Sequence, residues 1–91
     1  ENALYLLDEP ENSLSISLQQ DLCEYISASA SHYGCQFIIA SHSPVMLSMP
    51  NAVIYDLDSY PVETKKWTEL ENVRKYFDFF EKHRHLFLEE C

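Results

Sequence analysis

The chain has 91 residues, with 15 acidic side chains against 6 lysines and arginines and a net charge of −9; it suits one small domain at most, with a modest core. That charge argues against a general electrostatic grip on nucleic acid or an anionic membrane. No apolar run approaches the roughly 20 residues of a membrane span.

The first element expected is a strand from Leu4 to Leu7, apolar throughout, as a strand covered on both faces should be. A polar connection follows from Asp8 to Ser15, where Ser15 can cap a helix. Leu18, Leu22, Ile26 and Tyr33, with Tyr25 and Ala30 beside them, then mark an apolar stripe at helical spacing. Gly34 supplies the stop. A second strand is expected over Gln36 to Ala40, and Ser43 is placed to cap a short helical turn through Met46 and Leu47. A third strand spans Ala52 to Leu57. Asp58-Ser59-Tyr60-Pro61 is turn chemistry. Val62 to Trp67 fits a short edge strand, with Lys65 and Lys66 as edge charges. Thr68-Glu69-Leu70-Glu71 carries a capping-box pattern, after which Leu70, Val73, Phe77 and Phe80 mark one helix face. A last short helix is expected from His83 to Glu90. The order of strands and helices indicates a parallel α/β sheet.

Chemistry concentrates at two strand ends. Leu4-Tyr5-Leu6-Leu7 stops in Asp8-Glu9-Pro10, and Phe37-Ile38-Ile39-Ala40 stops in Ser41-His42-Ser43-Pro44. Open α/β sheets bind ligands at the C-terminal ends of their strands. Two carboxylates and a histidine brought there suggest a magnesium-phosphate site. Yet Gly34 is the only glycine, so a G-x-x-x-x-G-K-[ST] phosphate loop does not occur in these residues. If a nucleotide is handled, that loop lies elsewhere.

Leu4 to Pro10 resembles the Walker B segment of ATP-binding-cassette (ABC-type) ATPases. Glu11-Asn12-Ser13-Leu14-Ser15 falls where their D-loop follows, although a Ser stands where an Asp is usual. Phe37 to Pro44 resembles their switch, or H-loop, segment. The nearest likeness is to soluble AAA-family ATPases that share this head and are not transporters. The resemblance implies an α/β fold, a partial P-loop NTPase sheet with flanking helices and a helical C-terminal tail. Residues 1–91 would be the C-terminal portion of such a domain, with 1–58 as the Walker B to H-loop core and 59–91 as edge strand and helical tail. Asp8 would hold magnesium, Glu9 would be the general base for the attacking water, and His42 would contact the terminal phosphate. Asn12 and Ser13 would face the nucleotide seam between two copies, and Glu11 would belong to the same loop. The implied cofactor is Mg2+ with ATP. The implied partners are ATP, the N-terminal half of the domain, and a second copy in an ATP-dependent homodimer; nucleic acid would be reached only through other regions.

Two other readings compete. One is a non-catalytic interaction module that kept the strand-end signature. The other is a different magnesium phosphohydrolase using Asp8 and Glu9, for which no nucleophile or further carboxylate cluster is visible. The remaining polar groups point to ordinary structure. Cys23, Cys35 and Cys91 form no C-x-x-C pair, so buried, reduced thiols in a cytoplasmic protein are expected. His83 and His85 do not share a helix face. Tyr76, Phe77, Phe79, Phe80 and Phe87 fit a core or interface better than a base-stacking platform in so acidic a chain. Glu1-Asn2-Ala3 has no basic stretch to mark a signal peptide, and the missing initiator Met fits a fragment or processed product.

Overall fold

The computed structural model describes residues 3–89. They divide between Ala52 and Val53 into two compact units.

The first unit is built on strand β1 (Leu4–Asp8), helix α1 (Ile16–Tyr33), strand β2 (Gln36–Ala40) and the short helix α2 (Pro44–Leu47). β1 and β2 pair in parallel, from Leu4 opposite Gln36 to Asp8 opposite Ala40. A parallel pair needs a crossover, and α1 provides it. Its ends lie where capping chemistry puts them. The Ser15 hydroxyl accepts from the Leu18 amide at 3.2 Å. Gly34 takes up the left-handed conformation at φ 69°, and its N–H donates to the Ser29 carbonyl. Ser43 caps α2, accepting from the amides of Val45 and Met46.

The apolar stripe expected on α1 is displaced. Leu18 and Tyr33 are exposed, whereas Gln19, Ile26 and Ser29 are buried and Leu22 and Cys23 half-buried. The buried face still follows helical spacing, but it is chosen by what packs on it. α2 presents buried Met46, whose Sδ lies 3.6 Å from Cys23 Sγ. The Cys23 thiol also approaches the Val45 carbonyl at 3.7 Å, and burial pushes its pKa up. Cys35 is likewise half-buried; Cys91 lies outside the described residues.

The two-faced burial expected of β1 is not met within this chain. Leu4, Tyr5 and Leu6 are exposed, as is Ile38 on β2. Two strands and one crossover helix cannot cover both faces of a sheet. Tyr5 and Phe37 stack on each other with ring centroids 5.2 Å apart.

The second unit contains strands β3 (Ile54–Asp56) and β4 (Glu63–Lys65), a 3-10 turn (Trp67–Glu69), and helices α3 (Glu71–Lys82) and α4 (Arg84–Leu88). β3 pairs with β4 antiparallel, Ile54 opposite Lys65. β3 is thus shorter than expected and belongs to a hairpin; among the described residues the parallel sheet consists of β1 and β2. The turn before β4 forms on Asp56, which accepts from the Asp58 amide at 3.0 Å and the Ser59 hydroxyl at 3.3 Å. Lys65 is not a solvated edge charge, because its ammonium lies 2.7 Å from the Asp56 carboxylate.

The reach-back bond expected from Glu71 to Thr68 is made two residues earlier, by Glu69. Glu69 accepts from the Lys66 amide at 2.9 Å, and α3 starts at Glu71 after Leu70, an N-cap that makes no side-chain hydrogen bond. On α3 only Val73 is buried, while Phe77 and Phe80 stay about half exposed. Phe80 meets Phe87 of α4 edge to face at 5.8 Å. The last helix ends at Leu88, and the expected terminus at Glu90 lies outside the described residues.

Candidate functional site

β1 ends at Asp8 and β2 ends opposite it at Ala40. Everything that follows each strand is therefore delivered to one end of the parallel pair. The ladder extends one step further, since the Glu9 amide donates to the Ala40 carbonyl at 2.7 Å. Asp8 is exposed at this edge and Glu9 half-exposed.

Glu9 separates from Asp8 by a route that alternation along a strand does not supply. Its backbone leaves the extended region for φ 49°, a left-handed conformation that costs a non-glycine residue roughly 1–2 kcal/mol. Backbone outliers of this kind gather at functional sites. The strand stops there because a left-handed residue cannot continue the pleat. Asn12 then donates its amide to the Glu9 carbonyl at 3.1 Å, and Leu14 donates to the Glu11 carbonyl at 2.9 Å, so residues 9–14 form consecutive tight turns. Ser13 is a second left-handed residue, at φ 67°. Asn12 and Ser13 are both exposed.

The structure brings His42 to this edge. Its Nδ1 lies 3.8 Å from Glu9 Oε2, an ion pair when the imidazole is protonated, and its side chain is 81% exposed. The catalytic pair expected from the sequence, Glu9 and His42, is thus assembled from two different strand ends. Asn12 and Ser13 lie on the adjoining turn.

Two residues organise this edge in ways that spacing did not disclose. The first is Glu11. Its Oε1 accepts from the Ser41 hydroxyl at 2.8 Å and its Oε2 from the His42 amide at 3.3 Å. Ser41 Oγ in turn accepts from the Ser43 amide at 3.1 Å. Partial burial pushes the Glu11 carboxyl up, but the hydrogen bonds from its own backbone, Ser41 and His42, aided by the His42 charge, hold it below the usual carboxylate range. The second is Gln19, buried on α1. Its amide nitrogen donates to the Leu14 carbonyl at 3.1 Å, and its carbonyl oxygen accepts from the Ser43 hydroxyl. It ties the end of the first turn region to the start of α2. A Gln on the helix face next to an apolar stripe carries no sequence signal of this role; Glu11 at least sits three residues after Asp8 in a turn.

As a magnesium site the edge is sparse. Among the described residues no group of three His, Cys, Asp or Glu side chains converges as a metal cage. Magnesium does not need one, because it is commonly held by one or two carboxylates together with substrate phosphates and water. Asp8, an exposed hard-oxygen donor at the strand end, fits that limited share.

Residues 1–48 match the family model described as “AAA domain, putative AbiEii toxin, Type IV TA system”. No curated protein matches the chain in sequence. A solved chain from a study of ATP-driven dimerization and DNA-stimulated activation of SMC ATPases is similar with a TM-score of 0.54 and 18% identity, over 89% of this chain and 47% of that one. That likeness is one of fold, and the present chain spans about half of the solved chain's length.

Proposed function

The chain belongs to this AAA-domain family, and from that premise we propose that it is the C-terminal part of an ABC-type ATPase domain that binds ATP with Mg2+ and hydrolyses it. The observation that carries the reading is the parallel pairing of β1 with β2, which sets Glu9 and His42 3.8 Å apart. Within it each residue has a separate task. Asp8 takes a share of the metal. Glu9 orients and deprotonates the attacking water, and its departure from the strand direction at φ 49° supports a task distinct from that of Asp8. A base must meet its proton by geometry before its pKa matters. His42 donates a hydrogen bond to the terminal phosphate, which a neutral imidazole can do. Magnesium, when bound with the nucleotide, neutralises charge on the phosphate oxygens.

The phosphate loop and the signature segment would come from the N-terminal half of the domain. This accords with a chain spanning 47% of the solved relative. Asn12 and Ser13 would lie along the seam of an ATP-dependent homodimer. Their exposure supports this, as does the ATP-driven dimerization named for the SMC relative. Among the described residues no helix is long and apolar enough to cross a membrane, and a cytoplasmic site of action fits the reading.

The test compares Asp8→Ala with Glu9→Gln in the complete protein. Asp8→Ala should weaken magnesium-dependent nucleotide binding. Glu9→Gln should retain ATP and lose turnover by a factor on the order of 100 or more, the usual range for a general base. Equal loss of binding in both variants would sink the assignment.

A further inference from the structure

The two strand ends meet through more than the backbone ladder. Glu11 reaches from the turn after β1 and engages the turn after β2 at two points, the Ser41 hydroxyl at 2.8 Å and the His42 amide at 3.3 Å. Both carboxylate oxygens are taken. A group so engaged is poorly placed to serve as a second base or metal ligand. What it can do is fix the Ser41-His42-Ser43 backbone, and with it the point from which the imidazole projects. The hold is a strong one in kind, because hydrogen bonds to an ionised acceptor are about twice as strong as neutral ones. The ionised state is favoured here: burial pushes the Glu11 carboxyl up, and its hydrogen bonds with the His42 charge outweigh that push.

We propose that Glu11 is the positioning residue for His42, a clamp between the turn after the Asp8-Glu9 pair and the histidine-bearing turn. This rests on the ATPase reading for its consequence in turnover but not for its geometry. Rotation or loss of the Glu11 side chain releases the Ser41 hydroxyl and the His42 amide together. The imidazole then samples positions away from Glu9. Misplacement of a catalytic group by about 1 Å can cost on the order of 100-fold, and loss of a half-buried clamp beside the other bonds on this turn, from Ser43 to Ser41 and to Gln19, should cost less, about tenfold.

The inference is tested with two measurements on Glu11→Ala and Glu11→Gln. The first needs no nucleotide: hydrogen exchange of the His42 amide in the complete protein. Exchange should accelerate in Glu11→Ala and less so in Glu11→Gln, which keeps one acceptor oxygen. Unchanged exchange in Glu11→Ala overturns the clamp whatever the activity of the protein. The second is ATP turnover in the complete protein. Glu11→Ala should lower kcat about tenfold and leave KM within about twofold, with partial recovery in Glu11→Gln. A raised KM with unchanged kcat would assign Glu11 to nucleotide binding and overturn the proposal. Wild-type turnover in Glu11→Ala, beside lost turnover in Glu9→Gln, would overturn it too while leaving the ATPase reading intact. Turnover insensitive to Glu9→Gln would instead sink the ATPase reading, and the amide measurement would still judge the clamp.

Discussion

His42 is held by its main chain and offered by its side chain. The amide is bound to Glu11 at 3.3 Å, and the ring is largely exposed beside Glu9. His42→Ala should therefore leave the fold nearly untouched, within about 0.5 kcal/mol as for other surface substitutions. In the complete protein it should lower turnover far more than nucleotide affinity. A nucleotide titration beside steady-state kinetics checks this, and wild-type turnover would make the ring incidental. Ser13 offers a second test at this scale. Its left-handed backbone at φ 67° is exposed, which costs a residue with a Cβ roughly 1–2 kcal/mol. Glycine escapes that cost but loses about 0.5–1 kcal/mol in chain entropy. The first effect is the larger, so Ser13→Gly should raise stability by about 0.5 kcal/mol, read as a higher urea midpoint. Asp8, Glu9 and His42 stood out in the sequence because each closes an apolar run. Glu11 and Gln19 did not, because their importance lies in partners 30 and 24 residues away, which no local pattern names.

At the scale of elements, legibility followed local chemistry. Helix α1 begins after Ser15 and ends before Gly34 because its caps are written in those residues. β2 runs from Gln36 to Ala40 because an apolar run stands between a helix stop and a polar turn. Which helix face is buried, and which strand pairs with which, depended on contacts distant in sequence. Leu18 and Tyr33 are exposed for that reason, and Lys65 pairs with Asp56 instead of facing solvent. The β3–β4 hairpin consequently carries a pH dependence with a defined sign. Hydrogen bonding to Lys65 holds the Asp56 carboxyl below the usual range, and the same bond raises the Lys65 ammonium. A depressed carboxyl contributes stability that is complete above its unfolded value and is lost as pH falls through the folded one. A raised ammonium contributes below its unfolded value and is lost as pH rises through the folded one. The pair should therefore protect the hairpin across the neutral range and fail at both ends. Amide exchange in β3 and β4 of wild type and Lys65→Met provides the check. The two should differ at neutral pH and converge in acid below the carboxylate range. A difference that persists there would assign the effect to packing of the Lys65 stem.

For the whole molecule the decisive quantity is how little apolar surface is covered. Among the described residues the buried apolar side chains are Ile26, Met46 and Val73. Leu4 and Leu6 on β1, Ile38 on β2, and the aromatic and leucine side chains of α3 and α4 stay about half exposed or more. The apolar strands were written for burial on both faces, and two strands with one crossover helix do not provide it. A parallel pair with open edges also offers unpaired backbone to other chains. Apolar area removed from water contributes roughly 25 cal/mol per Å2, so covering these side chains against further chain offers a large gain. Isolated residues 1–91 should accordingly associate or bind an apolar dye, with a sedimentation mass above the 10.7 kDa monomer. They should also show no ATP turnover, since they contain one glycine and no phosphate loop. Supplying the N-terminal half of the domain in trans should reduce self-association and restore magnesium-dependent nucleotide binding. A monomer that unfolds cooperatively and hydrolyses ATP, with the activity removed by Glu9→Gln, would refute the view that this chain is completed by further sequence.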